Sequence, residues 1–350
     1  MRFLRKPKKT AVILNDTSYE FHHGCESVIT NIKKLLWRQK IEVTATNPVN
    51  RDWRQNRTFR KKMAAADLVL VNGEGSLHHA KPRAARLITV AEYIRQNQRI
   101  PVVLINATCQ ENGPELTAKM KNFTRIYVRE SLSQKELEDH SIPSQVVPDM
   151  SFYTYYDLDA KRNIDKIGVT DSVYPEVSEY LYNLSLQRGY LYLPILADIK
   201  LTKDNSNLFP FVYYHLVKKL DLIRFKTGSK LKHKKIKRFF FLKDYRQYIQ
   251  AIAELRFLIT GRFHSLCFAL KTLTPFIAIP SNSHKMEALI QDIGLDGERL
   301  QTIDRLKDTT FNDFSPAERN NIQKYVTSAP SRIEQMFEEI KELTWERSGV

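Results

Sequence analysis

Cysteine is scarce in this chain, and the three present, Cys25, Cys109 and Cys267, are odd in number and far apart, with no CxxC pair. That spacing excludes a disulfide framework and a cysteine-rich zinc site, and it predicts a reducing compartment. Long apolar runs are missing as well. The N-terminus, MRFLRKPKKTAVILND, has the positive charges of a secretory leader, but the run that follows is only Ala11 to Leu14. A leader needs about 7–15 apolar residues and a membrane span about 20. The expectation is a cytoplasmic protein that does not cross the bilayer. There is no internal repeat, and no low-complexity segment beyond one basic run. Helix-turn-helix, zinc-finger and RNP-like aromatic patterns are also lacking, so no specific nucleic-acid partner is expected.

What is present is enough apolar sequence for two packed cores. Hydrophobic residues make up 42% and aromatics 11% of 350 residues, a length that suits two domains of about 150 residues each. The 55 Lys and Arg outnumber 39 Asp and Glu, a formal charge of +16. Such a surplus favours an anionic partner, be it a phosphorylated or acidic substrate, a membrane face or nucleic acid. Lys226 to Arg238 (KTGSKLKHKKIKR) is the densest basic stretch. It reads either as a patch for peripheral contact with an anionic membrane or a lipid-diphosphate acceptor, or as a solvated loop.

Short β-branched runs alternate with helical periodicity, which predicts parallel βαβ units. In the first half, strands are expected at Ala11–Asn15, Ile41–Thr46, Asp67–Asn72, Ile100–Asn106, Arg125–Arg129 and Gln145–Val147. A helix is expected from about Cys25 to Gln39. A tyrosine-rich linker, Ser151 to Asn163, separates the halves. The second half predicts strands at Lys166–Thr170, Tyr190–Ile195, Arg238–Leu242, Phe257–Thr260 and Pro275–Ile279, with helices at 244–254, 264–272 and 283–292. The resulting divisions are 1–155, 164–312 and a helical tail over 313–350, whose apolar positions include Ile322, Val326, Ile333, Met336, Phe337 and Ile340.

The segment ELRFLITGRFHSLCFALK carries the strongest chemical signal. Its strand and Gly261 place Arg262 and His264 at the carboxyl end of a strand and the start of a helix, where open α/β sheets bind ligands and helix amides favour anions. Arginine offers a planar charged fork to a carboxylate or phosphate, and a nearby histidine can move a proton near neutral pH. A capping arginine and a buried structural histidine are the alternative. Lys285 opens the next helix; facing the same crevice, it adds positive charge toward a leaving phosphate, and otherwise it is a solvated lysine. In the first half, Gly73-Glu74-Gly75-Ser76 reads as a turn. Its glycines permit close backbone approach, and Glu74 is a candidate base toward a hydroxyl. The loop His22-His23-Gly24 precedes the first helix and is a candidate wall of the cleft. Neither His22-His23 nor His78-His79 has metal-ligand spacing, and no metal is expected.

These motifs resemble the polysaccharide pyruvyl transferase family. The resemblance is carried by Thr260-Gly261-Arg262-Phe263-His264, then Thr274-Pro275-Phe276, Lys285 and Gly294-Leu295. It extends to Gly73-Glu74-Gly75, to Arg129 in YVRESLSQKEL and to Asp149 in VVPDMSF. The chain departs from the family where Leu273-Thr274 precede Pro275, and where FHHGCES replaces an N-x-G-D loop. The resemblance implies an α/β fold with two Rossmann-like domains facing across a cleft, GT-B-like, and a final helix returning toward the first domain. It implies transfer of pyruvate from phosphoenolpyruvate to sugar hydroxyls as a ketal, with no further cofactor. Arg262 would hold the donor's carboxylate or phosphate, assisted by Arg129. His264 would protonate the enol or stabilise the departing phosphate, and Glu74 or Asp149 would orient or deprotonate the acceptor hydroxyl. Gly73, Gly75, Ser76, His23 and Lys285 complete the expected substrate site. The partners implied are an anionic donor and a glycan acceptor, free or lipid-linked. A glycosyltransferase using a nucleotide-sugar donor on the same scaffold is the rival reading.

Overall fold

The computed structural model describes residues 9–20, 22–154, 163–196, 242, 244–307 and 309–345. The chain builds two parallel sheets. The first holds β1 (Lys9–Asp16), β2 (Ile41–Pro48), β3 (Leu68–His78), β4 (Val102–Gln110), β5 (Arg125–Val128) and β6 (Gln145–Val146), in the order β2-β1-β3-β4-β5-β6. The second holds β7 (Asn163–Ser172), β8 (Leu191–Tyr192), β9 (Leu255–Gly261) and β10 (Phe276–Ala278), in the order β10-β9-β7-β8. Every pairing within both sheets is parallel.

Strand alternation explains why both faces of these sheets need cover. In β1, Ala11 and Ile13 join one apolar core while Val12 and Leu14 join another; Leu68 and Leu70 of β3 separate from Val69 and Val71 in the same way. Helix α1 (His23–Arg38) covers the first face with Val28, Ile32, Leu35 and Leu36, which recur at helical spacing. Helices α2 (Arg57–Ala64) and α3 (Pro82–Asn97) cover the second with Phe59, Met63, Ile88 and Ile94. Two shorter helices, α4 (Pro114–Lys119) and α5 (Ser131–Asp139), follow β4 and β5.

Around the second sheet lie α6 (Pro175–Arg188), α7 (Tyr245–Ala253), α8 (Phe263–Lys271) and α9 (Lys285–Ile293). Leu258, Phe276 and Ala278 share the core that also holds Ala11 and Ile13, so one apolar body runs between the sheets. The final helix, α10 (Pro316–Trp345), adds Ile322, Ile333, Phe337 and Ile340 to it. This helix does return to the first sheet. Tyr127 donates to Glu339 at 2.7 Å, and Arg332 donates to the Val146 carbonyl at 2.9 Å.

Three expectations need correction. The turn expected at Gly73 to Ser76 is instead part of β3, because β4 runs on beside it and pairs Glu74 with Ala107 and His78 with Gln110. The irregularity survives as a register shift after Glu74, whose φ is 41°. The expected linker begins in packed structure: Ser151, Phe152 and Tyr153 are buried, while 155–162 lie outside the described residues. The strand expected at Tyr190–Ile195 shrinks to Leu191–Tyr192. The expected strand Arg238–Leu242 and the basic run 226–238 fall outside the described residues, Leu242 excepted. Among the described residues no helix is long and apolar enough to cross a membrane.

Candidate active site

The carboxyl ends of the two sheets meet, and the meeting is stitched by direct bonds. The His23 amide donates to the Ile195 carbonyl at 3.0 Å, and the His284 amide donates to Gln110 Oε1 at 2.9 Å. Lys271 Nζ donates to the Ser151 carbonyl at 2.7 Å. Ligands of open parallel sheets bind at these strand ends, and the residues that gather here are largely those the sequence singled out.

At the centre is Asp149, buried just after β6. One of its oxygens accepts from Arg129 Nη1 at 3.0 Å, and the other lies 3.7 Å from His264 Nε2. Burial alone would raise this carboxyl; the charges of His264 and Arg129 and the Ser151 amide, which donates at 2.8 Å, prevail and hold it well below the usual carboxylate range. A carboxylate so held is a weak base. That ill suits the expected role of deprotonating an acceptor hydroxyl; what its oxygens face is Arg129 and His264, whose direction it fixes. Arg129 is held further by Thr108 Oγ1 at 2.8 Å and lies over the Phe263 ring, 4.1 Å from its centroid.

Arg262 sits where β9 passes into α8, as expected, but its guanidinium is engaged. Nε donates to Asp171 Oδ2 at 2.9 Å and Nη2 donates to the same oxygen. Asp171, at the end of β7, spends its other oxygen on the Ile195 amide at 3.0 Å. The Arg262 side chain remains 19% exposed, so it can still turn a face of its fork to an anion while Asp171 fixes its direction. His264 begins the first turn of α8 and presses on Gly24, where an added Cβ would lie 2.1 Å from the ring. Gly24 is glycine because the imidazole occupies the space.

Lys285 opens α9 and is buried. It donates to Asn282 Oδ1 at 2.6 Å and to Ser283 Oγ at 3.3 Å, with no ion pair among the described residues. Burial first, then the positive charges of Arg129 and Arg262, push its ammonium down to about 7. Gly75 lies opposite. A Cβ there would sit 3.6 Å from Arg129 Nη2 and 3.7 Å from Lys285 Nζ. Two cations thus converge on the space a glycine leaves, although like charges repel. An anion of suitable size offsets that repulsion.

The remaining expected residues divide. Glu74 is buried and accepts from Cys25 Sγ at 3.3 Å, Asn72 Nδ2 at 2.9 Å and Thr17 Oγ1. Ser76 accepts from Asn15 Nδ2 at 3.3 Å. Gly73 is pressed against Ala107, 2.5 Å from where its Cβ would lie, so it serves strand packing rather than ligand approach. His23 does not join the cleft: it is fully buried and stacked on Tyr248, with ring centroids 4.8 Å apart. Its neighbour His22 does join, 5.5 Å from His264 in an edge-to-face pair. Sequence reasoning places His22 only in the loop that walls the cleft, takes His23 for the substrate site, and misses Asp171 altogether. The available signals were a histidine just before a helix start and an aspartate just after the strand Lys166–Thr170.

Ligand atoms of His22, Cys25 and His264 lie within 4.8 Å of one another, the one group of three metal-ligating side chains found among the described residues. As folded, the donor set is unsuited to an ion. His22 Nδ1 is occupied by the Gly24 and Cys25 amides. Burial and the negative charges of Glu74 and Glu20 hold Cys25 as a thiol, whereas metals bind thiolate and neutral imidazole lone pairs.

Comparison with known proteins places this geometry in context. The two-sheet fold is similar to that of UDP-GlcNAc 2-epimerase from Methanocaldococcus jannaschii, solved with UDP-GlcNAc and UDP. That likeness has a TM-score of 0.51 at 12% identity and covers 91% of this chain and 99% of that one. It is also similar to S. aureus MnaA solved with UDP, with a TM-score of 0.50 at 14% identity, covering 94% of this chain and 91% of that one. At such identities the likeness shows the fold alone, which is of the GT-B kind. Comparison with curated proteins gives no match. The family model described as polysaccharide pyruvyl transferase matches residues 22–283, a span that holds Gly75, Arg129, Asp149, Arg262 and His264. The chain belongs to the polysaccharide pyruvyl transferase family and is a transferase.

Proposed function

We propose that this transferase adds a pyruvyl ketal from phosphoenolpyruvate to sugar hydroxyls of a cell-surface polysaccharide or its lipid-linked precursor. The observation that carries the reading is the convergence of Arg129 and Lys285 on Gly75, beside the His264–Asp149 pair, in a chain of this family. Phosphoenolpyruvate has two anionic ends and a carbon that must gain a proton, and the site offers cations and an oriented imidazole for these needs.

In the overall reaction two acceptor oxygens bond to C2 of the enolpyruvyl group and the bond from C2 to the phosphate oxygen breaks. One hydroxyl proton is made good at C3, which becomes a methyl group, and the other leaves with inorganic phosphate. Lys285 and Arg129 hold the phosphate and neutralise it as it departs. Arg262, directed by Asp171, faces the carboxylate. His264 delivers the proton to C3, held in line by Asp149, which contributes about 10²–10⁴-fold for a positioned acid. Glu74 orients the acceptor hydroxyl. The protein would work at the cytoplasmic side of the membrane, in contact with it where the acceptor is lipid-linked.

A nucleotide-sugar donor is the second reading, favoured by the UDP held in the similar solved structures. The test uses purified protein and a panel of glycan acceptors, with phosphoenolpyruvate or UDP-sugars as donor. The expected result is acceptor-dependent phosphate release and a mass gain of one pyruvyl ketal from phosphoenolpyruvate. UDP release with sugar transfer, and none from phosphoenolpyruvate, would overturn the proposal.

A further inference from the structure

His22 has a chemical state dictated by the backbone. It is the N-cap of α1, and its Nδ1 accepts from the Gly24 amide at 3.1 Å and the Cys25 amide at 3.4 Å. An imidazole that accepts at Nδ1 carries its proton on Nε2 and is neutral. The positive end of the α1 dipole works against a second proton. So do burial, then the charges of His264, Arg262 and His23, which lower its pKa well below the ordinary histidine value. Unlike His23, Gly24 and Cys25, His22 stays partly exposed. Its ring stands edge-to-face with His264 at 5.5 Å. The glycine whose amide it caps is the one against which His264 rests.

Resting on the phosphoenolpyruvate reading above, we propose that His22 is a further catalytic residue, a neutral imidazole whose Nε2–H donates to the donor's carboxylate beside His264. Neutrality is what suits it to this place. Arg129, Lys285 and Arg262 already crowd the cleft with positive charge, and a second imidazolium beside His264 would repel the proton His264 has to carry. A fixed neutral donor aimed at a carboxylate stabilises it without adding to that repulsion, as oxyanion-hole donors do. His22 thus supplies both the cap of α1 and a substrate contact.

Two measurements on the whole 350-residue chain test this. His22→Asn keeps an oxygen able to cap α1 but lacks the ring nitrogen. Its melting temperature should match the wild type while kcat with phosphoenolpyruvate falls about 10²-fold, the loss typical of one anion-stabilising donor. In ¹⁵N-histidine spectra, His22 should stay in the Nε2–H tautomer from about pH 5.5 to 8.5, a range across which an ordinary histidine, near 6.5, changes its protonation state. That proton should shift on adding phosphoenolpyruvate but not inorganic phosphate. Wild-type kcat in His22→Asn, an Nδ1–H tautomer, or titration of His22 near neutrality would overturn the proposal and leave the donor reading intact. Wild-type protein that turns over no phosphoenolpyruvate would overturn both together.

Discussion

The Asp149 carboxylate lies 3.0 Å from Arg129 and 3.7 Å from His264, so one buried acid ties a guanidinium at the end of β5 to an imidazole at the start of α8. The two belong to different sheets, and the acid that joins them lies between the sheets in sequence. Orientation of the proposed proton donor and closure of the two strand edges therefore depend on the same group.

Asp149→Asn keeps the shape and removes the charge. Loss of one partner from a buried pair costs about 3–5 kcal/mol, and urea unfolding should show a loss of that order. The native carboxyl titrates well below its unfolded value, which is about 3.9. Its contribution is therefore complete above the unfolded value and drains as pH falls through the folded one. Stability of the wild type should decline on acidification below about pH 4, and the decline should be shallower in the variant.

Lys285 titrates near 7, so its charge is present below that pH and lost above it. Donor affinity should weaken as pH rises from about 6 to 8.5, by up to the tenfold that about 1.4 kcal/mol represents. Lys285→Arg, whose guanidinium stays charged, should flatten the upper limb. Calorimetric titration across this range measures both.

Gly75→Ala places a methyl group 3.6 Å from Arg129 and 3.7 Å from Lys285, in ordinary contact with both. The fold should tolerate it, with an unchanged melting temperature. The methyl fills the space between the cations, so binding of phosphate or phosphoenolpyruvate should fall about tenfold or more, a loss of roughly 1.4 kcal/mol.

Gly24→Ala is the contrasting case. Its methyl would overlap the His264 ring at 2.1 Å, and either the ring or α1 must move. Overpacking of this kind costs about 1–3 kcal/mol. Turnover should fall about 10²-fold, since a displacement of about 1 Å at a reacting group has that effect. Melting curves beside steady-state rates separate the two losses.

Much of this arrangement could be read from residue order. Periodicity located α1, α8 and the strands Ala11–Asn15 and Phe257–Thr260 because burial on both faces leaves unbroken apolar runs there. The position of Arg262 and His264 at a strand-to-helix junction follows from Gly261 and the apolar helix beyond it, and that of Lys285 from the helix that opens after the next strand. What escaped was pairing at a distance. Asp171 meets Arg262 across 91 positions, and no local pattern marks that contact. The choice between His22 and His23 was equally hidden. Adjacent side chains diverge, and which of them faces the cleft depends on where α1 starts. The strand through Gly73 to Ser76 reads as a turn in sequence because its neighbour β4, not its own composition, keeps it extended.

The most direct test is calorimetric titration of the protein with phosphoenolpyruvate at about pH 6.5, below the value of about 7 to which the Lys285 ammonium is pushed, beside Lys285→Gln. Pyruvyl transfer from phosphoenolpyruvate predicts one phosphoenolpyruvate bound per chain, at least tenfold weaker in the variant, with no comparable binding of a UDP-sugar. A UDP-sugar that binds where phosphoenolpyruvate does not, or equal phosphoenolpyruvate affinity in the variant, would contradict it.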